Sequence, residues 1–346
     1  MTTSLVIQTS FLGDTVLTTP LLAELARRGP VDVVTTRASA PLLAHDPNVR
    51  RVIAFDKSGV DRGAAGVART ASRLRAWWRE RGDDPRRVHA YLAQGSLRSA
   101  ALALLARVPA RTGFDDAAGR LLYSERVPRR PGDHHAARLL ALADGRAGPA
   151  RDAASIVPHL YPGDDDRRAV DALLAAHPSD RPIVALAPGS IWDTKRWPYY
   201  RELTERLARR FRIAIIGGPE DADVARAIAD VAGADAVDAT AQLGLLASAE
   251  LIRRSAILVT NDSLPQHLAS AVGTPTITIF GPTVPEFGFG PLAPHSMTLG
   301  VETLPCRPCH HHGPRVCPLG HWRCMKDLDV DRVDAALDLI LAQTTR

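Results

Sequence analysis

Long apolar runs and leader-like signals are both missing from this 346-residue sequence. No apolar run reaches the roughly 18 residues that a membrane-spanning helix needs. The opening residues, MTTSLVIQTSFLGD, contain neither a basic segment nor a small-residue cleavage site, so no signal peptide is expected. A content of 45% hydrophobic and 23% charged residues is that of an ordinary globular protein. We therefore expect a cytoplasmic protein without a membrane span.

Lysine is scarce, although the chain is basic overall. Only three of the 43 basic residues are lysines, namely Lys57, Lys195 and Lys326. The net charge of +5 is mild for a nucleic-acid-binding protein, so we expect no nucleic-acid partner. The same charge suits an anionic ligand or an anionic membrane surface. A lysine placed among so many arginines therefore invites a functional explanation.

Cysteine is absent from the first 305 residues, and all four cysteines then occur within 19 positions. Structural disulfides are not expected in a cytosolic chain. The C-x2-C pair is a standard zinc half-site, whereas the second pair has the looser spacing C-x6-C. Structural zinc and free thiols both remain open, and we expect the segment to lie outside the chemistry. The candidate ligands are Cys306, Cys309, Cys317, Cys324, His310, His311, His312 and His321.

The pattern along the chain is a strand followed by a helix, repeated in two series. In the first series strands are predicted at 4–10, 31–36, 51–55 and 88–94, with helices at 15–28, 64–81 and 96–107. Residues 115–180 are rich in Pro, Gly, Asp and Arg, and are expected to hold one or two helices and an interdomain linker. In the second series strands are predicted at 182–190, 212–218, 236–240, 256–262 and 274–280, with helices at 198–210, from about 220, at 243–255, 265–273 and 330–343.

This alternation is typical of an α/β protein with parallel, doubly wound sheets. Two such series predict two Rossmann-like domains that face a central cleft, where the ligands would bind. We predict the first of these domains over 1–165. A nucleotide-binding domain is predicted over 180–325, followed by a C-terminal helix over 326–346.

Ligands of parallel sheets bind beyond the carboxyl ends of the strands, so the residues that follow each strand matter most. Gly13 and Asp14 follow the first strand. Asp14 is either the N-cap of the next helix, a position that Asp fills well, or a carboxylate able to accept a proton. Both interpretations remain open at this point.

A second group follows the first strand of the second series, in APGSIWDTKRWP. Gly189 and Ser190 offer amides and a hydroxyl, and Lys195 adds a positive charge close to a helix start. This combination favours a phosphate or diphosphate site over a merely solvated basic loop. The spacing is not that of a Walker A loop. After the next strand, Glu220 follows two glycines, either to accept hydrogen bonds from a ribose or base or to complement a helix dipole.

A third group occupies TNDSLPQHLASAVGTPTITIFGPT. Asp262 and Ser263 end a buried strand, His267 lies in the first turn of the next helix, and Thr283 follows the strand after that. An acid, a hydroxyl and an imidazole at the carboxyl end of a strand favour a ligand site over an isolated core histidine. Together, the three groups suit transfer of a group from a nucleotide donor to an acceptor hydroxyl.

These segments, together with ARTGF at 110–114, resemble the ADP-heptose:lipopolysaccharide heptosyltransferases, glycosyltransferase family nine. Nearly the whole chain takes part in the resemblance, which extends to the type that adds the second heptose. It implies a GT-B fold and metal-independent, inverting transfer of heptose from ADP-L-glycero-D-manno-heptose to the inner core of lipid A, with no cofactor. It also implies a peripheral position at the inner face of the plasma membrane.

The resemblance implies that the domain over 1–165 binds the acceptor and carries the catalytic base, and that the domain over 180–325 binds the nucleotide-sugar donor. It also assigns a role to each motif residue. Asp14 falls on the general base, Lys195 on the lysine that binds the donor phosphates, and Ser190 on a hydroxyl near them. Asp262, Ser263 and His267 fall on the donor-binding motif D-[ST]-G-x-x-H, and Glu220 falls near an acidic residue that contacts the adenosine.

One position departs from the family motif, because Leu264 stands where the family usually has glycine. If that glycine needs a positive φ or leaves room for the donor, leucine costs strain or space. The rival hypotheses are a GT-B transferase with another nucleotide sugar, an epimerase, and a nucleotide-sugar-binding protein without catalysis. An epimerase would need acids or bases on both faces of the sugar, whereas the N-terminal half offers one clear carboxylate.

Contacts to a phosphorylated glycolipid acceptor are predicted at Arg98 and Arg111, on the N-terminal half. A basic, aromatic face could also approach the membrane, although an ordinary solvated helix with two partly buried tryptophans explains the same pattern. The residues of this face are Arg62, Arg69, Arg73, Arg75, Trp77 and Trp78.

Overall fold

A computed structural model describes residues 2–145 and 152–344. Residues 146–151, which belong to the predicted linker-containing segment and to the predicted N-terminal domain, lie outside the described residues. The chain divides into two compact units, Met1–Tyr161 and Pro162–Arg346.

The N-terminal unit is built on a six-stranded parallel sheet. Its strands are β1 (Thr3–Gln8), β2 (Val31–Thr36), β3 (Arg51–Phe55), β4 (Val88–Leu92), β5 (Ala110–Phe114) and β6 (Glu125–Val127), in the spatial order β3-β2-β1-β4-β5-β6. Its helices are α1 (Leu12–Ala26), α2 (Gly63–Glu80), α3 (Leu97–Leu105) and α4 (His135–Asp144). The strand order reverses between β1 and β4, which is the switch point where such sheets bind ligands.

The C-terminal unit repeats this topology. Its strands are β7 (Ile183–Ala187), β8 (Arg212–Ile215), β9 (Val237–Asp238), β10 (Ile257–Asn261), β11 (Thr276–Ile279) and β12 (Met297–Leu299), in the order β12-β11-β10-β7-β8-β9. Its helices are α5 (Asp164–Ala175), α6 (Tyr200–Leu207), α7 (Ala222–Ala232), α8 (Leu245–Arg253), α9 (Leu264–Val272), α10 (Arg323–Lys326) and α11 (Val330–Thr344). Its switch point lies between β7 and β10.

Burial explains why the middle residues of the central strands are mostly apolar. Helices cover both faces of a doubly wound sheet, so side chains on both faces of a central strand are buried. Leu5, Val6 and Ile7 of β1 are fully buried, as are Val259 of β10 and Ile277 of β11. The predicted α/β architecture with two Rossmann-like units is therefore confirmed.

Three short strands escaped the sequence pattern. β5 contains Arg111 and Gly113 and does not read as an apolar run, while the edge strands β6 and β12 have only three residues each. Such segments form by pairing with a neighbouring strand and not by local propensity. Two helices, α4 and α5, do lie in the range 115–180, as expected.

Candidate functional site

Asp14 lies in the first turn of α1, just beyond the carboxyl end of β1 at the switch point of the N-terminal unit. The helix begins at Leu12 with Phe11 as its N-cap, so the interpretation of Asp14 as the N-cap is wrong. Asp14 is the third helical residue, and its Oδ2 accepts the Phe11 backbone N–H at 3.3 Å. The carboxylate thereby closes the helix start and stays partly accessible, with 16% of the side chain exposed.

His135, which was not predicted as a site residue, faces this carboxylate. It is the first residue of α4, and its Nε2 lies 3.7 Å from Asp14 Oδ1. Burial lowers the pKa of His135, while the Asp14 charge opposes this effect and the charges of Arg129 and Arg138 add to it. The sequence signal that could have indicated this residue is the pair of histidines in PGDHHAARLL, at the start of an amphipathic helix.

In the C-terminal unit, Lys195 and Asp262 form a buried ion pair at the switch point. Lys195 Nζ lies 2.5 Å from Asp262 Oδ2, and only 9% and 10% of the two side chains are exposed. Thr283 donates its hydroxyl to the same oxygen at 2.7 Å, and Gln266 donates to Oδ1 at 3.0 Å. Three of the four groups come from residues singled out in the sequence, which the fold brings into direct contact.

Asn261, the last residue of β10, ties the loops of this site together and was missed by the sequence reasoning. Its side-chain amide donates to the Pro188 carbonyl at 2.7 Å, and its Oδ1 accepts the Trp197 backbone N–H at 3.1 Å. The side chain is fully buried. It therefore fixes both ends of the loop that carries Ser190 and Lys195.

Ser190 begins a local turn in that loop. Its hydroxyl accepts the Trp192 N–H at 3.2 Å, and its carbonyl accepts from Arg196 Nε at 3.0 Å. Arg196 in turn pairs with Asp221 at 3.2 Å. The loop after β7 is thus linked by charge to the loop after β8.

Asp221 is the organising acid of the loop after β8. Glu220 was predicted, but its side chain is exposed, whereas the neighbouring Asp221 is buried and accepts the Gly218 N–H at 3.0 Å. Burial raises the pKa of Asp221, an effect that the Gly218 amide and Arg196 oppose. A Cβ at Gly189 would come within 2.2 Å of Asp221 Oδ2, so this glycine makes room for the carboxylate. The role of Glu220 towards a ligand stays a prediction.

The remaining motif residues lie at the start of α9. Ser263 is its N-cap, and its hydroxyl contacts the Asn261 carbonyl at 3.4 Å. His267 is buried, and its ring lies 6.5 Å from the Phe289 ring. Leu264 is the first helical residue and does not belong to the positive-φ residues of the described chain. The strain considered for leucine at this position is therefore absent.

The cysteine-rich segment packs directly on the lysine loop, and the expectation that it takes no part in the chemistry stays a prediction. Thr194 donates its hydroxyl to the Pro314 carbonyl, and Cys309 donates its N–H to the Pro282 carbonyl at 3.0 Å. A Cβ at Gly313 would lie 3.2 Å from Lys195 Cε. The segment forms one wall around the Lys195 side chain.

No disulfide joins the four cysteines. Cys306 Sγ lies 3.8 Å from His321 Nε2, and burial raises the pKa of Cys324 to about 11. Over residues 2–145 and 152–344, no three His, Cys, Asp or Glu side chains are arranged so that they could hold a metal ion.

The two predicted acceptor arginines differ in their surroundings. Arg98 is exposed near the start of α3. Arg111 donates to the carbonyls of Val108, Pro109 and Leu122 at 2.6–2.9 Å, so an acceptor anion would have to compete with these carbonyls. Lys57, which was counted but given no role, donates to the Thr9 carbonyl beside the carboxyl end of β1.

The tryptophans of α2 belong to the interior. Trp78 is fully buried and donates its indole N–H to Asp32 at 2.8 Å, and the Arg51 guanidinium lies 3.8 Å from the centre of the Trp77 ring. α2 thus packs its tryptophans inward and presents Arg69 and Arg73 to solvent, and its approach to a membrane stays a prediction. No described helix is long and apolar enough to span a bilayer.

The two parallel six-stranded sheets with their flanking helices define the class of the protein, a GT-B-type α/β protein. Solved structures share this fold. A family 9 glycosyltransferase from Veillonella parvula aligns with a TM-score of 0.84 at 20% identity, covering 99% of this chain and 98% of that one. The ADP-heptose lipopolysaccharide heptosyltransferase II of Escherichia coli aligns with a TM-score of 0.78 at 23% identity, covering 99% and 100%.

Sequence comparison identifies the family itself. The model of glycosyltransferase family 9 (heptosyltransferase) matches residues 88–322, so the chain belongs to this family and is a glycosyltransferase. It is 28% identical to lipooligosaccharide heptosyltransferase 2 of Haemophilus influenzae over 312 residues, which are 82% of this chain and 84% of that protein. It is 29% identical to lipopolysaccharide heptosyltransferase 1 of Pseudomonas aeruginosa over 326 residues, 88% and 85% of the two chains.

Proposed function

We propose that this glycosyltransferase moves heptose from ADP-L-glycero-D-manno-heptose to the inner core of lipopolysaccharide. The observation that carries the proposal is the buried Lys195–Asp262 pair at the switch point of the C-terminal unit. A lysine that is fixed in a loop containing a glycine suits a diphosphate, because the lysine charge and the loop amides are arranged before the ligand arrives. The heptosyltransferase relatives support heptose as the sugar.

The acceptor in this proposal is Kdo2-lipid A that already carries one heptose. The segments KRWPYY at 195–200 and ARTGF at 110–114 resemble the second-heptose type. The curated relatives include both types at nearly the same identity, 28% and 29%, so the acceptor has to be measured directly.

The proposed reaction is a single displacement with inversion. Asp14 takes the proton of the acceptor hydroxyl while that oxygen bonds to the anomeric carbon. The bond from the anomeric carbon to the diphosphate oxygen breaks at the same time, and ADP leaves with the electron pair. A carboxylate within reach of the acceptor hydroxyl is a suitable general base for this task.

Stabilisation of the leaving group falls to the C-terminal unit. Lys195 provides the positive charge that the departing diphosphate requires, and Asp262, Thr283 and Asn261 hold the lysine and its loop in place. Prearranged charge of this kind stabilises a transition state without reorganisation during the reaction. We therefore expect activity without an added metal, and a control assay with EDTA tests this expectation.

Membrane contact is part of the proposal, because a lipid A acceptor lies in a bilayer. Exposed arginines suit an anionic surface, namely Arg62 just before α2 and Arg69 and Arg73 within it. Co-sedimentation with vesicles of anionic phospholipid, at low and at high salt, tests this point. Binding that does not weaken with salt would contradict an electrostatic contact.

The decisive experiment is mass spectrometry of the products formed from ADP-heptose and Kdo2-lipid A with zero or one heptose attached. A gain of one heptose only on the pre-heptosylated acceptor supports the proposal. A gain on the bare acceptor makes this the first-heptose enzyme. If neither acceptor gains heptose while the protein still binds ADP, the donor is another nucleotide sugar, or the protein binds without catalysis. Leu264 is then the first residue to substitute by glycine.

A further inference from the structure

His135 and Asp14 face each other across two packed helices of the N-terminal unit. The His135 ring nitrogen Nε2 lies 3.7 Å from Asp14 Oδ1, and only 12% and 16% of the two side chains are exposed. The Phe11 backbone N–H holds the other carboxylate oxygen, Oδ2. Asp14 is therefore approached from two sides by groups that can donate hydrogen bonds.

The surroundings of His135 favour its neutral form. Burial and the positive charges of Arg129 and Arg138 disfavour the imidazolium, and the Asp14 carboxylate is the group that opposes them. A neutral imidazole beside a carboxylate places its single proton on the nitrogen that faces the carboxylate, since that tautomer alone can donate to it.

We propose that His135 is a positioning residue for Asp14, whose Nε2–H holds Oδ1 of the carboxylate at the angle that proton transfer from the acceptor requires. The inference rests on the proposed role of Asp14 as the general base. A separation of 3.7 Å exceeds a formed hydrogen bond, and catalytic contacts often tighten only when substrate is bound. The same logic applies wherever a third group orients a catalytic base.

The neutral state of His135 matters for the chemistry. When the acceptor oxygen bonds to the anomeric carbon, its proton passes to Asp14 and ADP departs with the electron pair. A neutral donor orients the carboxylate and leaves its proton affinity high. An imidazolium would favour the charged carboxylate and oppose this proton transfer, so protonation of His135 should slow the reaction.

The test compares His135→Ala, His135→Phe and His135→Gln in full-length protein, with the donor and acceptor pair that mass spectrometry identifies. The alanine and phenylalanine variants should lower kcat at least about tenfold, with little change in KM for the donor. The glutamine variant keeps an N–H donor that does not titrate. It should restore most of kcat and move the acid limb of the pH profile to lower pH.

The control is His89→Gln, in the same unit. His89 lies near the start of β4, at the opposite end of the sheet from Asp14, and bonds to Thr112 at 2.7 Å. This variant should keep both kcat and the pH profile. Thermal unfolding of every variant identifies any that fail to fold.

Three outcomes decide the matter. If His135→Ala keeps the wild-type kcat and pH profile while Asp14→Asn is inactive, the inference is wrong and the proposed base survives. If Asp14→Asn is fully active, the proposed function loses its base. If the glutamine and alanine variants lose activity equally and melt equally early, His135 has a purely structural role and the inference is also wrong.

Nuclear magnetic resonance gives a readout that does not depend on turnover. Two-bond 1H–15N spectra of the imidazole should show the Nε2-protonated tautomer, with a pKa below the ordinary value of about 6.5. In Asp14→Asn the pKa of His135 should fall further, because the carboxylate that favours the imidazolium is gone. A pKa unaffected by this substitution would contradict the contact.

Discussion

The two units of this protein have the same strand order but treat their central carboxylates differently. The Asp262 carboxylate in the C-terminal unit accepts hydrogen bonds from Lys195, Thr283 and Gln266, at 2.5, 2.7 and 3.0 Å. Asp14 in the N-terminal unit accepts the Phe11 amide at a long 3.3 Å and faces His135 at 3.7 Å. A carboxylate whose oxygens are engaged by donors organises its neighbours, whereas one with lone pairs to spare can accept a proton from substrate.

This difference shows how one topology serves two tasks. Charge stabilisation requires groups that are already in place, because reorganisation during the reaction would cost free energy. Proton abstraction requires an available lone pair close to the substrate. The strand order that the two sheets have in common places each carboxylate at a switch point. The side chains of the following loops decide between the two tasks.

The largest effect is expected from Asp14→Asn, which replaces the carboxylate by a neutral amide of the same shape. The amide cannot act as a base, so kcat should fall by roughly 10²–10⁴-fold. ADP affinity, measured by calorimetry, should be nearly unchanged, because the donor groups lie in the other unit. A variant with full turnover would remove Asp14 from the mechanism.

Lys195→Met should disrupt the set of contacts around the Asp262 carboxylate, because it removes the ion pair with the lysine. It leaves Asp262 charged and buried without its partner, a change that costs about 3–5 kcal/mol in the free energy of unfolding. Urea denaturation measures this cost, and ADP binding should weaken in parallel. The double variant Lys195→Met, Asp262→Asn should recover part of the stability but not the ADP affinity. Full recovery of ADP affinity would contradict a phosphate role for the lysine.

Gly189→Ala tests the link between the two loops of the C-terminal unit. The added Cβ would lie 2.2 Å from Asp221 Oδ2, so the carboxylate must move away from Arg196. Overpacking of this kind costs about 1–3 kcal/mol, and KM for the donor should rise. Gly290→Ala is the matched control, because its Cβ would meet Pro285 at an ordinary 3.6 Å. Equal stability of the two variants would argue against the contact with Asp221.

The pH dependence of stability should reveal His135. Its folded pKa is lowered by burial, so near pH 6.5 the unfolded chain binds more protons than the folded chain. The free energy of unfolding should therefore decline as the pH falls through about 6.5. His135→Gln should make this decline shallower, as urea denaturation between pH 5 and 8 will show. An unchanged slope would mean that other groups cause it.

The smallest effect concerns the thiols beside Lys195. Burial opposes a Cys317 thiolate, but backbone amides from Leu319 to Trp322 outweigh it and lower the pKa of Cys317. Burial raises the pKa of Cys324 to about 11. Iodoacetamide at pH 7.5 should therefore label Cys317 well before Cys324, as peptide mass spectrometry can show. The reverse order would contradict the amide contacts, and protection of Cys317 by ADP would support the contact of this segment with the lysine loop.

Local patterns were sufficient for much of the fold. β2 and β3 were predicted with the bounds that the structure has, because VDVVTT and RVIAF are rich in strand-forming residues. The short edge strands β6 and β12 were missed, because pairing with a neighbour and not local propensity creates them. For Asp14 the sequence left an N-cap and a base open; its position in the first turn of α1 excludes the N-cap, and its role as the base stays a prediction.

The sequence by itself determined the fold class, the family and the loops that carry Asp14, Lys195 and Asp262, since apolar strands and the residues after them are local features. Only the tertiary structure decided the partners. His135 meets Asp14 across more than a hundred residues, Asp221 takes the buried place beside the exposed Glu220, and the cysteine-rich segment forms a wall around Lys195. Each of these contacts depends on how separate helices and loops pack, and packing is set by the whole chain at once.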